Sequence, residues 1–184
     1  WEHVGDHASG VSVYGKEVSS LGLTAYKGIY ELDVDSEKLF AQICDLEGHM
    51  DVSDQLVESR IILTQGERSD FYQVMKSPAA FVSQRYWLNR SITKRDIAGV
   101  QGHHKRVWNA LAMDQYPKVR AALAETYPDA VLVQTTHGSW EVSPTHLTYR
   151  TVSDPGGSVP GSVYSSLSSK TLPDNMLNFV RAVK

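Results

Sequence analysis

The alternation of apolar and polar residues near the start of the chain predicts two β-strands. Residues 11–18 alternate with the period of two that is typical of a strand with one buried face. Residues 23–32, rich in Tyr, Ile and Leu, predict a second strand. Ser19-Ser20 and Gly22 lie between the two segments and predict the turn that joins them.

Three segments have the longer period of amphipathic helices. Asp35 is the predicted N-cap of the first helix, and Gly48 is its predicted end. Residues 117–127 predict the second helix, which begins with a proline. In the third, near the C-terminus, Thr171 is the expected cap and Pro173 is expected in the first turn. The apolar faces of the first and third helices are Leu39, Phe40, Ile43 and Leu46, and Leu172, Met176, Phe179, Val180 and Val183.

Short apolar runs between these helices predict the rest of a sheet. The predicted strands span residues 57–65, 70–76, 81–92, 105–113, 130–137 and 146–151. Residues 140–142 are interpreted as an extension of the fifth of these strands. Short turns between strands favour antiparallel pairing. The pattern predicts an α+β fold in which one curved antiparallel sheet wraps around a long C-terminal helix.

The overall charge argues against nucleic acid as a partner. The 184 residues include 18 Lys and Arg against 21 Asp and Glu, which gives a net charge of −3 and a pI near 6.2. The sequence contains no run of Lys and Arg that would hold a phosphate backbone or an anionic membrane tightly. Its length suits one domain, residues 1–184, and it lacks the run of about 18 apolar residues that spans a bilayer.

The residues that could support catalysis or metal binding form no convincing pattern. Cys44 is the one cysteine, which excludes an internal disulfide and a cysteine zinc site, and it is interpreted as a core residue. His103 and His104 would face opposite sides of a strand, and His137 and His146 lack metal-ligand spacing. No glycine-rich phosphate loop occurs. We therefore expect no metal, no cofactor and no catalysis, although a Ser-His-Asp triad of distant residues stays open.

The last third of the chain carries the most specific motif. Residues 138–140 and Tyr149 lie on predicted strands, and residues 154–157, Asp-Pro-Gly-Gly, must turn, because the proline fixes φ and both glycines allow positive φ. Pro160 marks the exit from the turn, and the terminal helix follows. This order of a Trp-bearing strand, a second strand, the turn and a closing helix resembles the C-terminal end of START domains. These form the StAR-related lipid-transfer family of the helix-grip superfamily.

Further motifs extend the resemblance over most of the chain. Trp1 with residues 10–14 is similar to the START opening, in which a helix precedes a Gly-Val-x-Val-Tyr strand. Residues 72–78 resemble a strand that ends in a proline-rich turn, and residues 81–85 resemble the family's Asp-Phe-Val-Ser-x-Arg strand. The chain departs from the family pattern at Met50-Asp51, at residues 78–80, at Ser165 and Ser166, and over residues 117–127. These departures leave the class of ligand open.

The resemblance implies an internal hydrophobic cavity that holds one lipid. In sterol-binding members a carboxylate and an arginine on neighbouring strands lie inside this cavity, and the matching positions here are Glu58 and Arg85. Arg60 shares a strand face with Glu58 and is the alternative partner. The other predicted ligand contacts are Trp87, Asn109, Met176, Phe179 and Val180. The competing interpretation places the charges on the surface and the apolar residues in ordinary core packing.

We expect the protein to bind one lipid, such as a sterol, a phospholipid, a fatty acid or a hopanoid, and to transfer it through transient membrane contact. The closing helix and the loop of residues 155–160 are the expected gate. The alternatives are an enzyme similar to polyketide aromatase/cyclases on the same scaffold, and a ligand-sensing module.

The compact form resembles stand-alone bacterial members of the family, and we expect a monomer. The chain starts at Trp1 rather than Met, so we expect that an upstream segment has been removed. If that segment is a signal peptide, the protein is periplasmic, and otherwise it is cytoplasmic.

Overall fold

The computed structural model describes residues 1–77, 82–157 and 161–184, with side chains for all of these except Met113 and residues 161–168. Within these ranges the strands are β1 (Glu2–Asp6), β2 (Ser12–Val18), β3 (Leu23–Glu31), β4 (Leu56–Gln65), β5 (Arg68–Met75), β6 (Arg85–Lys94), β7 (His104–Ala110), β8 (Val131–Leu132), β9 (Thr135–Val142) and β10 (His146–Asp154). The helices are α1 (Ser36–Cys44), α2 (His49–Val52), α3 (Pro117–Thr126) and α4 (Gly161–Ala182). Short 3₁₀ turns occupy Ile97–Gly99 and Met113–Gln115.

The strands form one open, curved sheet. Its order is β1-β2-β3-β10-β9-β7-β6-β5-β4 with every neighbouring pair antiparallel, and the short β8 pairs with β6 in parallel. β1 and β4 are therefore the free edges, and the pairing of β1 with β2 shifts register between His3 and Gly5. This sheet and the C-terminal α4 confirm the predicted α+β helix-grip class.

The strand register defines two faces of the sheet, because residues directly opposite one another on neighbouring strands point to the same face. One row on the first face runs through Val13, Gly28, Tyr149, Trp140 and Arg106. Helices α1, α2 and α4 pack on this face, which we call the inner face. The opposite side is the outer face, and α3 packs on its β4–β6 end.

Gly28 allows α4 to approach β3 closely. A Cβ at position 28 would lie 2.3 Å from Met176 Sδ and 2.4 Å from Leu172 Cδ2, distances at which the atoms overlap. Both α4 side chains are fully buried. They belong to a core cluster that joins the inner face, α1 and α4 and includes Val11, Val13, Tyr26, Leu39, Phe40, Ile43, Trp140, Val142, Leu147, Leu177, Phe179 and Val180.

The C-terminal end of α1 is fixed by two buried side chains. The carbonyl oxygen of Ile43 accepts hydrogen bonds from Arg106 Nη1 at 2.7 Å and from His49 Nε2 at 3.0 Å. Burial lowers the pKa of Arg106 to about 10, so it stays protonated at neutral pH, and a cation at a helix C-terminus is favourable. His49 also accepts from Gln73 Nε2 at 3.2 Å and packs edge-on against Phe179, so it links α1, α2, the sheet and α4.

The local signals in the sequence locate many elements correctly. Asp35 caps α1, because its Oδ1 accepts a hydrogen bond from the backbone N–H of Lys38 at 2.9 Å. Gly22 and Gly66 have φ values of 62° and 58° in the predicted turns. β2, β3, β4, β5 and α3 each lie within two residues of their predicted bounds, which confirms these elements.

Other predicted boundaries are wrong. β6 begins at Arg85, and residues 82–84 lie outside any strand, whereas residues 78–81 fall outside the described residues. α1 ends at Cys44 rather than at Gly48, because Asp45 Oδ1 accepts from the backbone N–H of Gly48 and turns the chain into α2. The strand predicted at residues 130–137 divides into β8 and β9, and the one at 105–113 ends at Ala110.

Two corrections concern the ends of the chain. Residues 2–6 form the edge strand β1, where the resemblance implied a helix. α4 begins at Gly161, so Pro173 lies inside the helix and Thr171 is not its cap, while Pro160 falls outside the described residues. Burial of Leu172 against β3 offsets the backbone hydrogen bond that a proline in a helix removes. Among the described helices, none has the length and apolar composition needed to cross a membrane.

Substitution of Gly138 tests the packing of the inner face. A Cβ on Gly138 would lie 2.2 Å from Trp108 Cζ2 and 2.5 Å from the backbone oxygen of Arg150. We expect Gly138→Ala to lower the free energy of unfolding by about 1–3 kcal/mol in urea denaturation. Gly5→Ala on β1 is the matched control, since its Cβ meets no atom within 4 Å. Equal stabilities for the two variants would contradict this packing.

Protonation of His49 should set the pH dependence of stability below neutral pH. Burial lowers its pKa from 6.5 to about 4, so the unfolded chain takes up the proton first as the pH falls. The contribution of His49 to the free energy of unfolding should be complete above pH 6.5, and it should fall by up to about 3 kcal/mol as the pH approaches 4. Chemical denaturation at a series of pH values measures this slope.

His49→Gln should remove the slope, because glutamine keeps a donor and an acceptor without titrating. His146→Gln changes an exposed histidine and serves as the control. A wild-type slope that persists in His49→Gln assigns the pH dependence to another group.

Candidate functional site

The inner end of β6 carries a buried arginine. Arg85 is the first residue of β6, and it is 8% exposed. Its Nε donates to the carbonyl oxygen of Pro155 at 3.4 Å, and its Nη1 donates to the carbonyl oxygen of Ser83. A Cβ on Gly157 would lie 3.6 Å from Arg85 Nη2. The guanidinium therefore sits against the Asp-Pro-Gly-Gly turn.

The sequence of this turn creates the contact with Arg85. Gly156 and Gly157 have φ values of 64° and 67°, a conformation that glycine adopts without steric cost. Asp154 Oδ1 accepts from the backbone N–H of Gly156 at 2.9 Å and closes the turn. The prediction of a turn at residues 154–157 is confirmed, and the structure adds that the Pro155 carbonyl points to the site.

Arg85 and Arg106 are both buried cations without a carboxylate partner among the described residues, but Arg106 also donates to a side-chain hydroxyl, Ser91 Oγ at 2.9 Å. Within the described residues Arg85 makes no ion pair with a carboxylate, and residues 78–81 and 158–168 contain no Asp or Glu in their sequence. Burial lowers the pKa of Arg85 from its ordinary value, yet arginine stays cationic in proteins. A buried cation with backbone carbonyls as its described acceptors is able to bind an anionic or strongly polar oxygen of a ligand.

Trp87 continues the inner face beyond Arg85 and starts a chain of hydrogen bonds. Its Nε1 donates to Gln73 Oε1 at 3.1 Å. Gln73 Nε2 lies 3.0 Å from Ser59 Oγ, and Ser59 Oγ donates to the carbonyl oxygen of Leu46 at 2.6 Å. These hydrogen bonds attach the loop after α1 to the sheet, so the polar groups of Gln73 and Ser59 are already paired within the protein. The ring of Trp87 is only partly buried and is available for contact with a ligand.

An aromatic stack occupies the middle of the inner face. Trp108 stacks on Tyr149 with 5.8 Å between ring centroids, and Tyr149 stacks on Trp140 at 4.1 Å. Trp140 meets Phe179 of α4 edge-on at 5.1 Å, so the stack runs from the core to the partly buried Trp108. Trp108 is not among the predicted ligand contacts. The alternation of its strand was the available signal, whereas its pairing with Gly138 depends on the register between β7 and β9.

The predicted pair of Glu58 and Arg85 is wrong. Glu58 lies opposite Val74, which lies opposite Tyr86, so Glu58 shares the outer face with Tyr86, while Arg85 shares the inner face with Trp87. β4 shifts register between residues 56 and 58 and again between 61 and 63, and counting residues from Gly66 cannot detect these bulges.

Glu58 instead anchors α3 on the outer face. Its carboxylate accepts hydrogen bonds from Tyr72 OH at 2.6 Å and from Tyr127 OH at 2.9 Å. Burial, with the hydrogen bond to Glu58, raises the pKa of Tyr72. The alternative partner Arg60 does lie beside Glu58, with 3.7 Å between Nε and Oε1, but its side chain is half-exposed. Exposed ion pairs of this kind contribute little to stability.

The remaining predicted contacts divide between the two faces. Asn109 is exposed on the outer face, where its amide donates to the carbonyl oxygen of Ala110, so the structure does not bring it to Arg85. Met176, Phe179 and Val180 are buried in the core cluster, which agrees with the core-packing interpretation. Their contact with a ligand stays a prediction. So does the internal cavity, because residues 78–81 and 158–160 lie outside the described residues.

One group of described side chains has the composition of a metal site. Potential ligand atoms of Glu37, Asp96 and His104 lie within 4.8 Å of one another. Each is used within the protein: His104 Nε2 lies 2.8 Å from Glu37 Oε1, and His104 Nδ1 accepts from the backbone N–H of Asp96 at 3.2 Å. These contacts through His104 attach the β6–β7 loop to α1. His103 faces the outer side and lies 3.2 Å from Glu141, as expected for adjacent residues on a strand.

Comparison with known proteins rests on structure, since no protein-family model matches the sequence and a search of curated proteins gives no significant match. Human STARD10 is similar in fold, with a TM-score of 0.83 and 20% identity over 100% of this chain and 72% of that chain. A STAR-related lipid transfer protein from Xanthomonas axonopodis gives a TM-score of 0.74 and 19% identity over 100% of this chain and 96% of that chain. The Zhui aromatase/cyclase from Streptomyces sp. R1128 gives a TM-score of 0.53 and 13% identity over 86% of this chain and 90% of that chain. These likenesses confirm the START-like fold.

Removal of the Glu58 carboxylate should loosen α3. Glu58→Ala leaves two tyrosine hydroxyls without their acceptor, and we expect a loss of about 1–3 kcal/mol in the free energy of unfolding. Arg60→Ala should cost less than about 0.5 kcal/mol, because the ion pair is exposed to solvent. Urea denaturation compares the two variants, and equal losses would show that the tyrosine hydrogen bonds are not the dominant contacts.

Proposed function

We propose that the protein binds one lipid molecule against the inner face of the sheet, with the polar group of the lipid at Arg85. The observation that carries the proposal is the burial of this arginine without a carboxylate partner among the described residues. A buried charge normally persists only when it is paired or has strong hydrogen-bond partners. A ligand oxygen would supply the partner that the described part of the chain does not.

The charge of Arg85 favours an acidic ligand. A fatty acid or an anionic phospholipid brings a carboxylate or phosphate that forms a charge-assisted, bidentate contact with guanidinium. A sterol or a hopanoid with neutral hydroxyl groups leaves the positive charge of Arg85 without neutralisation. The proposal therefore ranks carboxylate and phosphate lipids above neutral polycyclic lipids.

The aromatic residues of the inner face suit the apolar part of such a ligand. Trp87 follows Arg85 on the same face, and the edge of the aromatic stack at Trp108 lies on the neighbouring strand. Large aromatic side chains contribute much apolar contact area at low entropy cost. Transfer of the lipid between membranes, with movement at the turn of residues 155–157, is the further part of the proposal. Residues 158–160 of the expected gate lie outside the described residues.

We propose a binding protein rather than an enzyme, although an aromatase/cyclase shares the scaffold. Catalysis of that kind needs several titratable groups that converge on one point. Among the described residues, the other buried basic groups of the inner face are His49, Arg106 and His104. His49 and Arg106 both donate to the carbonyl oxygen of Ile43, at the end of α1, and His104 is held between Glu37 and the backbone of Asp96. They are thus committed to structure, and Arg85 is left as a single polar point.

Native mass spectrometry with lipid extraction tests the proposal. Protein purified without detergent should carry one adduct of lipid mass, and the extract should contain an acidic lipid. Arg85→Met should weaken binding of that lipid by about ten- to hundredfold, since a charge-assisted hydrogen bond is lost. Arg60→Met removes a cation from the outer face and should bind the lipid like the wild type.

Two other results would contradict all or part of this proposal. A protein that stays free of adduct after incubation with fatty acids, phospholipids and sterols would overturn the lipid-binding proposal and favour the cyclase-like or sensing alternatives. A bound neutral sterol whose affinity is unchanged in Arg85→Met would keep lipid binding but remove Arg85 from the site.

A further inference from the structure

The short strand β8 lies beside the part of β6 that carries Arg85. The register between β6 and β7 begins at Asn89, and β8 pairs with β6 at the start of that strand. In this parallel pairing Val131 lies opposite Arg85, and Leu132 lies opposite Tyr86. Residues opposite one another share a face, so Val131 is on the inner face with Arg85.

Backbone hydrogen bonds and packing on α3 hold β8 in place. The backbone N–H groups of Val131 and Val133 donate to the carbonyl oxygens of Gln84 and Tyr86, both at 2.9 Å. On the outer face, Leu132 packs on the core cluster between α3 and the sheet. The backbone of β8 is therefore fixed, and the side chain of residue 131 has a defined position.

Val131 adjoins both the guanidinium of Arg85 and the glycine turn. A Cβ on Gly157 would lie 3.6 Å from Val131 Cγ2 and 3.6 Å from Arg85 Nη2, so the methyl group and the nitrogen flank the same point. A Cβ on Gly156 would lie 3.1 Å from Val131 Cγ1. Val131 is thus the β8 side chain that borders the buried cation.

The residues opposite Arg85 on its two neighbouring strands carry no charge. They are Met75 on β5 and Val131 on β8. The outer face shows what an acidic residue does in such a position: Asp70 lies directly opposite Arg90 and forms an ion pair with it, with 2.8 Å between Nε and Oδ1. A carboxylate opposite Arg85 would neutralise its charge in the same way.

We propose that Val131 determines which charge class of ligand the inner site accepts. Its methyl groups do not compete for the guanidinium, so the charge of Arg85 is left for an acidic group of the ligand. A carboxylate at position 131 would instead pair with Arg85 and repel an acidic lipid. The inference rests on the proposed binding of a lipid at Arg85 and adds the residue that sets its charge preference.

A matched pair of variants at position 131 tests the inference on the full chain. Oleate and a short-chain phosphatidylglycerol are the carboxylate and phosphate probes, and native mass spectrometry measures their binding. Val131→Glu should bind both probes at least about tenfold more weakly than Val131→Gln, because the introduced side chains are of similar size and only one is charged. Val131 is partly buried, so a longer polar side chain has access to solvent.

Two further substitutions control for net charge and for folding. Val152→Glu adds the same charge to a partly buried valine on the outer face of β10, and it should bind both probes like Val152→Gln. Val131→Lys adds a second cation and should bind oleate about two- to fivefold more tightly than Val131→Gln. This variant tests the inference even if Val131→Glu does not fold, and affinities equal to those of Val131→Gln would contradict it.

A double-mutant cycle tests the contact between the two positions without any lipid. The carboxylate introduced by Val131→Glu should pair with Arg85, so the substitution should lower the urea midpoint more in the Arg85→Met background than in the wild type. The same cycle with Val131→Gln measures the contribution of side-chain size and should show a smaller coupling. Additive effects of Val131→Glu and Arg85→Met would overturn the inference.

The combined results distinguish this inference from the proposed function. If the wild type binds the probes and Val131→Glu binds them as tightly as Val131→Gln, the inference is overturned and lipid binding stands. An equal loss in Val152→Glu also overturns it, because net charge then explains the effect. A wild type that binds neither probe overturns the acidic ligand of the proposed function, and the double-mutant cycle then supports or overturns the pairing of position 131 with Arg85 by itself.

Discussion

The carbonyl group of Ile43 is the contact on which the inner side of the molecule depends. It ends α1, and it accepts hydrogen bonds from Arg106 of the sheet and His49 of α2. Phe179 of α4 packs on His49, so one carbonyl group connects three helices to the sheet. Arg106 is buried without a carboxylate among the described residues because the helix end supplies the negative dipole that a carboxylate would otherwise provide.

The buried charges Asp70 and Arg85 differ in how well their hydrogen-bond partners satisfy them. On the outer face, Asp70 is fully buried but binds Arg68, Arg90 and Tyr116, and these hydrogen bonds outweigh burial and hold its pKa well below the ordinary value. On the inner face, Arg85 has backbone carbonyls alone as its described acceptors. Asp70, which has a structural role, is thus fully paired, whereas Arg85, beside the glycine turn, has weaker hydrogen-bond partners. That contrast is a stronger functional signal than burial alone.

The sequence predicted those parts of the fold that depend on local chemistry. Asp35 at the α1 cap, the glycines of the turn at 154–157 and the apolar stripe of α4 all lie where short-range rules place them. Features that depend on pairing between distant strands could not be predicted. The bulge between residues 61 and 63 decides which face Glu58 occupies, and the carbonyl of Pro155 that contacts Arg85 comes from a distant part of the chain. Tertiary packing of Leu172 likewise extends α4 past Pro173, against the local preference.

The bulges in the two edge strands also affect how copies of the protein meet. An open sheet exposes unpaired backbone groups at both edges, and a regular edge strand would pair with the edge of another molecule. β4 changes register twice and β1 once, so neither edge offers a long, even row of donors and acceptors. The bulges of β4, which make the face of Glu58 unpredictable from residue counting, thus also protect the sheet against edge-to-edge aggregation.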